Sequence, residues 1–401
     1  MKTTEESAQA QPRWVAGQWQ REHARRLEKW RRSDASLAAP HLITLCRAVN
    51  ETAKQLSSSP HALGAKLPPT RMCCDDLVFQ DHDEAAAYTV QHLTDRYGRV
   101  TQVLERLFAA GHLPLRRRKM SVLEVGAGPG PGLYATRDFY ADLALWAETT
   151  GQQIEFAPVT HMHALDRGEA WAWLLHCLSE CLLSLRSGMP SSPGSLPFRI
   201  DYQNLLGFSP VHEHIKALDH AATLVSADFD RAEEPIMRST ARRFAEEDGV
   251  DKPSAYDLVV MSNFLTTEDS IQKFDSELRQ LTSSLTPGGL IIAIGHPPYG
   301  KRNKYTRIWA ELRTLMRESR LTEINGFENP IPANPRQEWS RIIRRQRQEI
   351  LDGLRCSSDL PAEVNHLRET DGFTPFQAFA WKNQRPPRRR PRRRARPPHR
   401  S

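Results

Sequence analysis

The chain has 401 residues, 26% of them charged and 39% apolar, with a formal net charge of +7. That is the composition of a water-soluble globular protein, with room for one large domain plus additions or for two domains. No apolar run approaches the roughly 18–20 residues needed to cross a bilayer. The opening residues MKTTEESAQAQPRW carry adjacent glutamates and no apolar stretch, which argues against a secretory signal or an Arg-rich transit peptide and for a cytoplasmic protein.

In chain order, GQWQREHARRLEKWRR (17–32) places Trp19, His23, Leu27 and Trp30 at helical spacing among basic residues. Such a helix either docks its tryptophans on the main domain or offers a basic, aromatic face to RNA, and docking is the reading preferred. A second helical pattern runs over His41–Leu56, and a third begins at Asp83 and stops at Gly111, the residue type that ends helices. Residues 1–82 thus form a helical N-terminal extension. From Ser121 strands and helices alternate, which implies an α/β fold with a mostly parallel sheet covered by helices on both faces. Strands are expected at Ser121–Val125, Ile154–Leu165, Thr223–Ser226, Tyr256–Ser262, Leu290–Gly295, Leu321–Ile324 and Phe376–Trp381. Helices are expected at Glu169–Arg186, Thr267–Leu285 and Lys304–Glu318. Two long gaps, 187–222 and 329–372, read as insertions in a domain spanning 83–384, and the second contains a helix-like RQEWSRIIRRQRQEILDGL.

Six cysteines form no disulfide framework. Cys177 and Cys181 share a helix face, but no second Cys or His pair completes a zinc site, so buried thiols and no metal are expected. The tail 385–401 holds nine arginines and no acid; without it the net charge of +7 becomes −2, so basicity belongs to this disordered Arg/Pro-rich appendage and not to the body.

The most informative stretch is VLEVGAGPGPGLYA, where an apolar run breaks into alternating glycines. It lacks the Gly-Lys of a phosphate-binding loop. Pro131 and Leu133 spoil the two dinucleotide registers that begin at Gly126 and Gly128, and the relaxed register from Gly130 starts too far beyond the strand. The pattern Glu124, Gly126, Gly128, Gly130 instead resembles the first motif of the class I S-adenosylmethionine-dependent methyltransferases. The resemblance implies that family's seven-stranded Rossmann-like fold, with the glycines lying against S-adenosyl-L-methionine and Glu124 facing its ammonium end. It also implies Asp166 on the ribose hydroxyls, Asp228 and Phe229 beside the adenine, and Ser262, Asn263 and Phe264 bordering the transferred methyl. LTSSLTPGGLIIAIG matches the family's approach to the fifth strand, so the resemblance covers roughly Ser121–Gly295. HPPY (His296–Tyr299) looks like an amino-methyltransferase signature but follows the fifth strand rather than the fourth, and it reads as a turn. Asn263, His296 and Tyr299 are candidate catalytic residues by strand-end position, and His212 and His214 by lying in an insertion.

The acceptor stays open between three readings. RNA, slightly favoured, would be held through the arginines of the Arg385–Arg400 tail, which could equally address a nucleus. The segment AAAYTVQHLTDRYGRVTQVLERL also resembles the ribosomal small-subunit methyltransferase-like family, whose cysteine cluster this sequence lacks. A small-molecule acceptor under a lid formed by the insertions suits the near-neutral body. The third reading is a non-catalytic assembly factor that binds the cofactor.

Overall fold

The computed structural model describes residues 13–70, 78–79, 81–116, 120–152, 159, 161–186, 198–205, 256–298, 304–332, 337–355 and 374–384. Seven strands form one sheet: β1 Val122–Val125, β2 His161–Asp166, β3 Arg199–Asn204, β4 Tyr256–Ser262, β5 Leu285–Gly295, β6 Leu321–Glu323 and β7 Gln377–Asn383. Their order is β3-β2-β1-β4-β5-β7-β6. The first five pair in parallel, and β7 inserts antiparallel between β5 and β6. β1 and β4 are buried along their whole length, which is why they read as mainly apolar runs, broken only by Glu124 in β1 and by Asp257 and Ser262 in β4. Chain order reverses between β1 and β4, so the crevice beyond their carboxyl ends is where an open α/β sheet takes a ligand.

One face of the sheet is covered by α1 Arg13–Arg31, α2 Ala38–Leu56, α3 Pro60–Thr70, α4 His82–Ala110, α5 Pro131–Thr149, α6 Ala170–Arg186 and α10 Gln337–Arg355. The other face is covered by α7 Ser270–Lys273, α8 Asp275–Ser283 and α9 Lys304–Glu318. The extension packs into the first of these two cores: Leu27, Leu42, Leu45 and Leu67 share it with Met162, Val260 and Ile292. Trp19 lies 5.7 Å from Trp146 and 5.9 Å from Phe108, centroid to centroid, so the helix docks its aromatic side as expected. Gln20 fixes the depth by exchanging hydrogen bonds with the Leu113 backbone. At the crossing, Gly17 meets Gly111 so closely that a Cβ on Gly17 would come within 2.7 Å of the Gly111 carbonyl oxygen. Gly111, at φ 78°, also ends α4 in the left-handed conformation that its sequence position predicts.

The principal correction concerns the third strand. The place beside β2 is held by Arg199–Asn204, inside the segment expected to be an insertion, with His163 opposite Asp201 and Asp166 opposite Asn204. Thr223–Ser226, Asp228 and Phe229 lie outside the described residues, as do His212 and His214. β3 is a sheet edge with only partial burial, so its apolar alternation (Ile200, Tyr202) is short and weak. The expected helix Thr267–Leu285 is two helices. Phe274 joins them at φ −116°, its ring sunk in the core, and Leu285 already belongs to β5. β2 begins at His161 rather than Ile154, and β7 is shifted to Gln377–Asn383. Cys177 is buried as expected, whereas Cys181 is only half-buried.

Candidate functional site

At the carboxyl end of β1 the chain turns through Gly126, Gly128 and Gly130 at φ 61°, 50° and 76°, all left-handed. That alternation is open to glycine and strained for L side chains. At Gly126 space adds a second constraint, because a Cβ there would collide with the Phe264 ring. The turn is stitched to the end of β2: Ala127 N–H donates to the Leu165 carbonyl at 3.0 Å, and Gly128 N–H to Asp166 Oδ2 at 2.8 Å. It then enters α5 with Pro131 in the first turn, where a missing N–H is no loss.

Glu124 is fully buried, and its carboxylate accepts from the Gly132 N–H at 2.9 Å and the Leu133 N–H at 3.1 Å, two orphan amides at the start of α5. It therefore braces the start of α5 and with it the glycine turn. Desolvation pushes its carboxyl up to about 8, against the opposing pull of the Gly132 and Leu133 amides and the Arg96 charge. An acid with a raised folded pKa contributes stability that is full below the unfolded value, about 4.5, and is lost as pH rises toward 8. Between those limits wild-type unfolding free energy should fall relative to Glu124→Gln, by at most about 1.4 kcal/mol per pH unit. Denaturant titrations of both proteins from pH 5 to pH 8 read the difference; parallel pH profiles would show that Glu124 is ionised throughout.

Asp166 closes β2 next to the turn. Oδ2 takes the Gly128 N–H, and Oδ1 takes those of Arg167 at 2.7 Å and Gly168 at 3.2 Å. A carboxylate offers about four acceptor sites, so three amides fix it in place and leave capacity for a ligand hydroxyl. Desolvation raises its pKa, with the three amides pulling the other way. On its far side Tyr202 Oη donates to the Asp166 and Gly168 carbonyls, tying β3 to the same edge. Asn204 is level with Asp166, and Leu205 N–H donates to the Asp166 carbonyl at 2.9 Å.

At the end of β4, Asn263 stands at φ 54° with its N–H on the Ile294 carbonyl. Its Oδ1 and the Ser262 Oγ are buried and have no hydrogen-bond partner. Two orphaned polar atoms beside the turn suit a ligand that brings donors. Phe264 packs over Gly126 and stacks obliquely on Phe274 at 4.7 Å. His296 follows β5 at the exposed rim, with its ring 5.3 Å from Tyr305. Partial desolvation and the charges of Arg99, Arg96 and Lys304 hold its imidazole below the usual range, hence neutral at pH 7. Tyr299 lies outside the described residues.

The opposite wall comes from residues that no motif marks. Phe79, Tyr88 and Trp171 form an aromatic group with centroid separations of 4.7 to 5.5 Å, and the Phe79 carbonyl accepts from Ala170 N–H. A Cβ on Gly128 would touch both Trp171 and Tyr88 at 3.8 Å, so this group faces the turn. Behind it, α4 carries His92, Arg96 and Arg99 along the Tyr88 side, and Arg96 lies over the Tyr88 ring at 4.8 Å. The helical repeat of AAAYTVQHLTDRYGR is legible in sequence; its nearness to the glycine turn is not.

Among the described residues His161, His163 and Asp201 also cluster, with ligand-type atoms within 4.8 Å of one another. They sit toward the amino end of β2, away from the turn. Asp201 is already held by His161 at 2.6 Å and Arg199 at 2.6 Å. Burial alone would raise its carboxyl, but the His161 hydrogen bond and nearby cations keep it well below the carboxylate range.

No family model and no curated protein matches the sequence. Solved structures with a distant likeness include the [4+2]-cyclase SpnF, at 11% identity over 71% of this chain and 80% of that one, TM-score 0.32. Another is phosphoethanolamine N-methyltransferase 2 of Haemonchus contortus with S-adenosylhomocysteine, at 11% identity over 77% and 61%, TM-score 0.35. A third is an S-adenosylmethionine-dependent methyltransferase of Thiobacillus denitrificans with S-adenosylhomocysteine, at 10% identity over 73% and 96%, TM-score 0.32. The case for a ligand site rests on the sheet order and the glycine turn of this chain itself.

Proposed function

We propose that the protein is an S-adenosyl-L-methionine-dependent methyltransferase. The observation that carries this reading is the glycine turn at the β1/β4 reversal, bare at three left-handed positions and hydrogen-bonded through Gly128 to the strand-end carboxylate Asp166. The residues present fit that cofactor. Asp166 has acceptor capacity for a ribose diol, the aromatic group lies over the turn, and the orphaned Asn263 and Ser262 oxygens await donors. When bound, the cofactor supplies a methyl group on a positively charged sulfur, already a good leaving group. The protein then has to align a nucleophile and exclude water. Asn263 and Ser262 orient the groups at the β4 tip, Phe264 and the Phe79–Tyr88–Trp171 wall close the space, and His296, neutral at pH 7, is placed to accept a proton from an acceptor that needs deprotonation.

For the acceptor, a small molecule suits the closed aromatic wall, and RNA rests on the Arg385–Arg400 tail, which lies outside the described residues. Helix α1 adds less to the RNA reading than its sequence suggests, because Trp19 is used in docking. Incubating the full chain with methyl-tritiated cofactor and fractionated lysate, then treating with ribonuclease, protease or filtration, assigns the acceptor class. Label entering one fraction only when the protein is present is the expected result. Cofactor binding without transfer to any fraction would replace the enzyme reading by that of a non-catalytic assembly factor.

A further inference from the structure

Arg96 is nine-tenths buried, yet among the described residues no carboxylate hydrogen-bonds to it, and its Nε has no hydrogen-bond partner. Its guanidinium carbon lies 4.8 Å from the face of Tyr88, and among the described residues its charge is also felt by Asp95 and Glu124. A cation–π contact offsets only part of the cost of burying a charge without a hydrogen-bonded counter-ion. The neighbouring acids do not close the gap. Asp95 is committed to Arg99 at 2.7 Å. Glu124 has its carboxylate on the α5 amides. Arg99 itself reaches Thr374 with one nitrogen, and its Nε and other terminal nitrogen are buried without hydrogen bonds. Among the described residues, Arg96 therefore has no hydrogen-bonded carboxylate, and two of the Arg99 nitrogens are likewise unsatisfied.

The placement says where the missing anion belongs. Tyr88 has Arg96 over its ring, and the same ring would touch a Cβ on Gly128 at 3.8 Å. The Arg96 charge acts on both Glu124 at the tip of β1 and His296 after β5, and the Arg99 charge also acts on His296. Arg96 is thus next to Tyr88, which borders the glycine turn, and within electrostatic reach of Glu124 and His296.

We propose that Arg96, steadied by Tyr88 and flanked by Arg99, binds a carboxylate or phosphate group that a ligand brings into the crevice beyond β1 and β4. A guanidinium presents the forked donors that such groups accept, and desolvation strengthens the bond. The identity of the ligand rests on the methyltransferase reading: the anion is either the cofactor's own carboxylate or an acidic group on the acceptor. The anion site itself does not depend on that reading.

The test uses the full chain and Arg96→Met, with Arg96→Lys as a variant that keeps the charge. Calorimetry measures S-adenosylhomocysteine and 5′-methylthioadenosine, which shares the adenosine and thioether but lacks the carboxylate. Thermal melts with and without inorganic phosphate measure the response to a free anion. If the cofactor supplies the anion, Arg96→Met weakens S-adenosylhomocysteine at least tenfold and methylthioadenosine less than twofold. If the acceptor supplies it, both nucleoside affinities persist, while the phosphate-induced rise in Tm disappears in Arg96→Met and survives in Arg96→Lys. Loss of the phosphate response in a protein that binds neither nucleoside sinks the methyltransferase reading and leaves the anion site standing. Equal weakening of both nucleosides, or no change in any of the three measurements, overturns the proposal. Should Arg96→Met fail to fold, Arg96→Gln, which also removes the charge, takes its place in all three measurements with the same outcomes.

Discussion

Asp142→Ala is expected to destabilise the protein by about 3–5 kcal/mol, the usual consequence of removing one partner from a buried ion pair. Asp142 lies on α5 with no exposed surface, 2.6 Å from Arg31 Nε. It also accepts from Ser36 Oγ at 3.0 Å and from Leu37 N–H at 2.9 Å. One carboxylate therefore holds the end of α1, the α1–α2 connection and the approach to α2. Its loss strands the nearly buried Arg31, whose remaining acid, Glu105, is partly exposed, and it leaves the Leu37 amide without its acceptor. Urea titration of wild type and variant measures the loss. A change under about 1 kcal/mol would mean that the extension is not fastened through this point. Because the penalty comes from stranding a charge, the double variant Arg31→Met/Asp142→Leu should recover most of it.

Asp166→Ala is expected to weaken S-adenosylhomocysteine by about 10–100-fold, the equivalent of one lost hydrogen bond to a charged group. Two effects reinforce each other. The acceptor for a ribose diol is removed, and the Gly128 N–H loses the partner that shapes the turn. Asp166→Asn separates them, because an amide oxygen can still accept from Gly128 while the charge is gone; an intermediate affinity is expected. Equal and small losses in both variants, under threefold, would take Asp166 out of the ligand contacts.

Much of the architecture was legible because β1, β4 and β5 are buried on both faces and so appear as apolar runs ending in turn residues. The glycine turn was legible for a different reason: backbone at φ 50–76° leaves little choice of residue, so the constraint is written directly in the letters. β3 was missed because an edge strand needs little hydrophobicity, and Arg199–Asn204 carries only Ile200 and Tyr202 as apolar signal. The role of Glu124 was only half visible. Its position was marked by the motif, but its partners are backbone amides, which carry no sequence signal. Arg96, Tyr88 and Trp171 were invisible as a site because helix packing, and no local spacing, brings them to the turn.

The most direct test of the central claim is isothermal calorimetry of S-adenosylhomocysteine with the full-length protein and with Gly128→Val. In that variant a β-branched side chain must adopt φ near 50° and points toward Tyr88 and Trp171. Saturable one-to-one binding to the wild type, lost in a folded Gly128→Val, is the predicted result. No binding to the wild type, or undiminished affinity in the variant, would contradict a cofactor site on this turn.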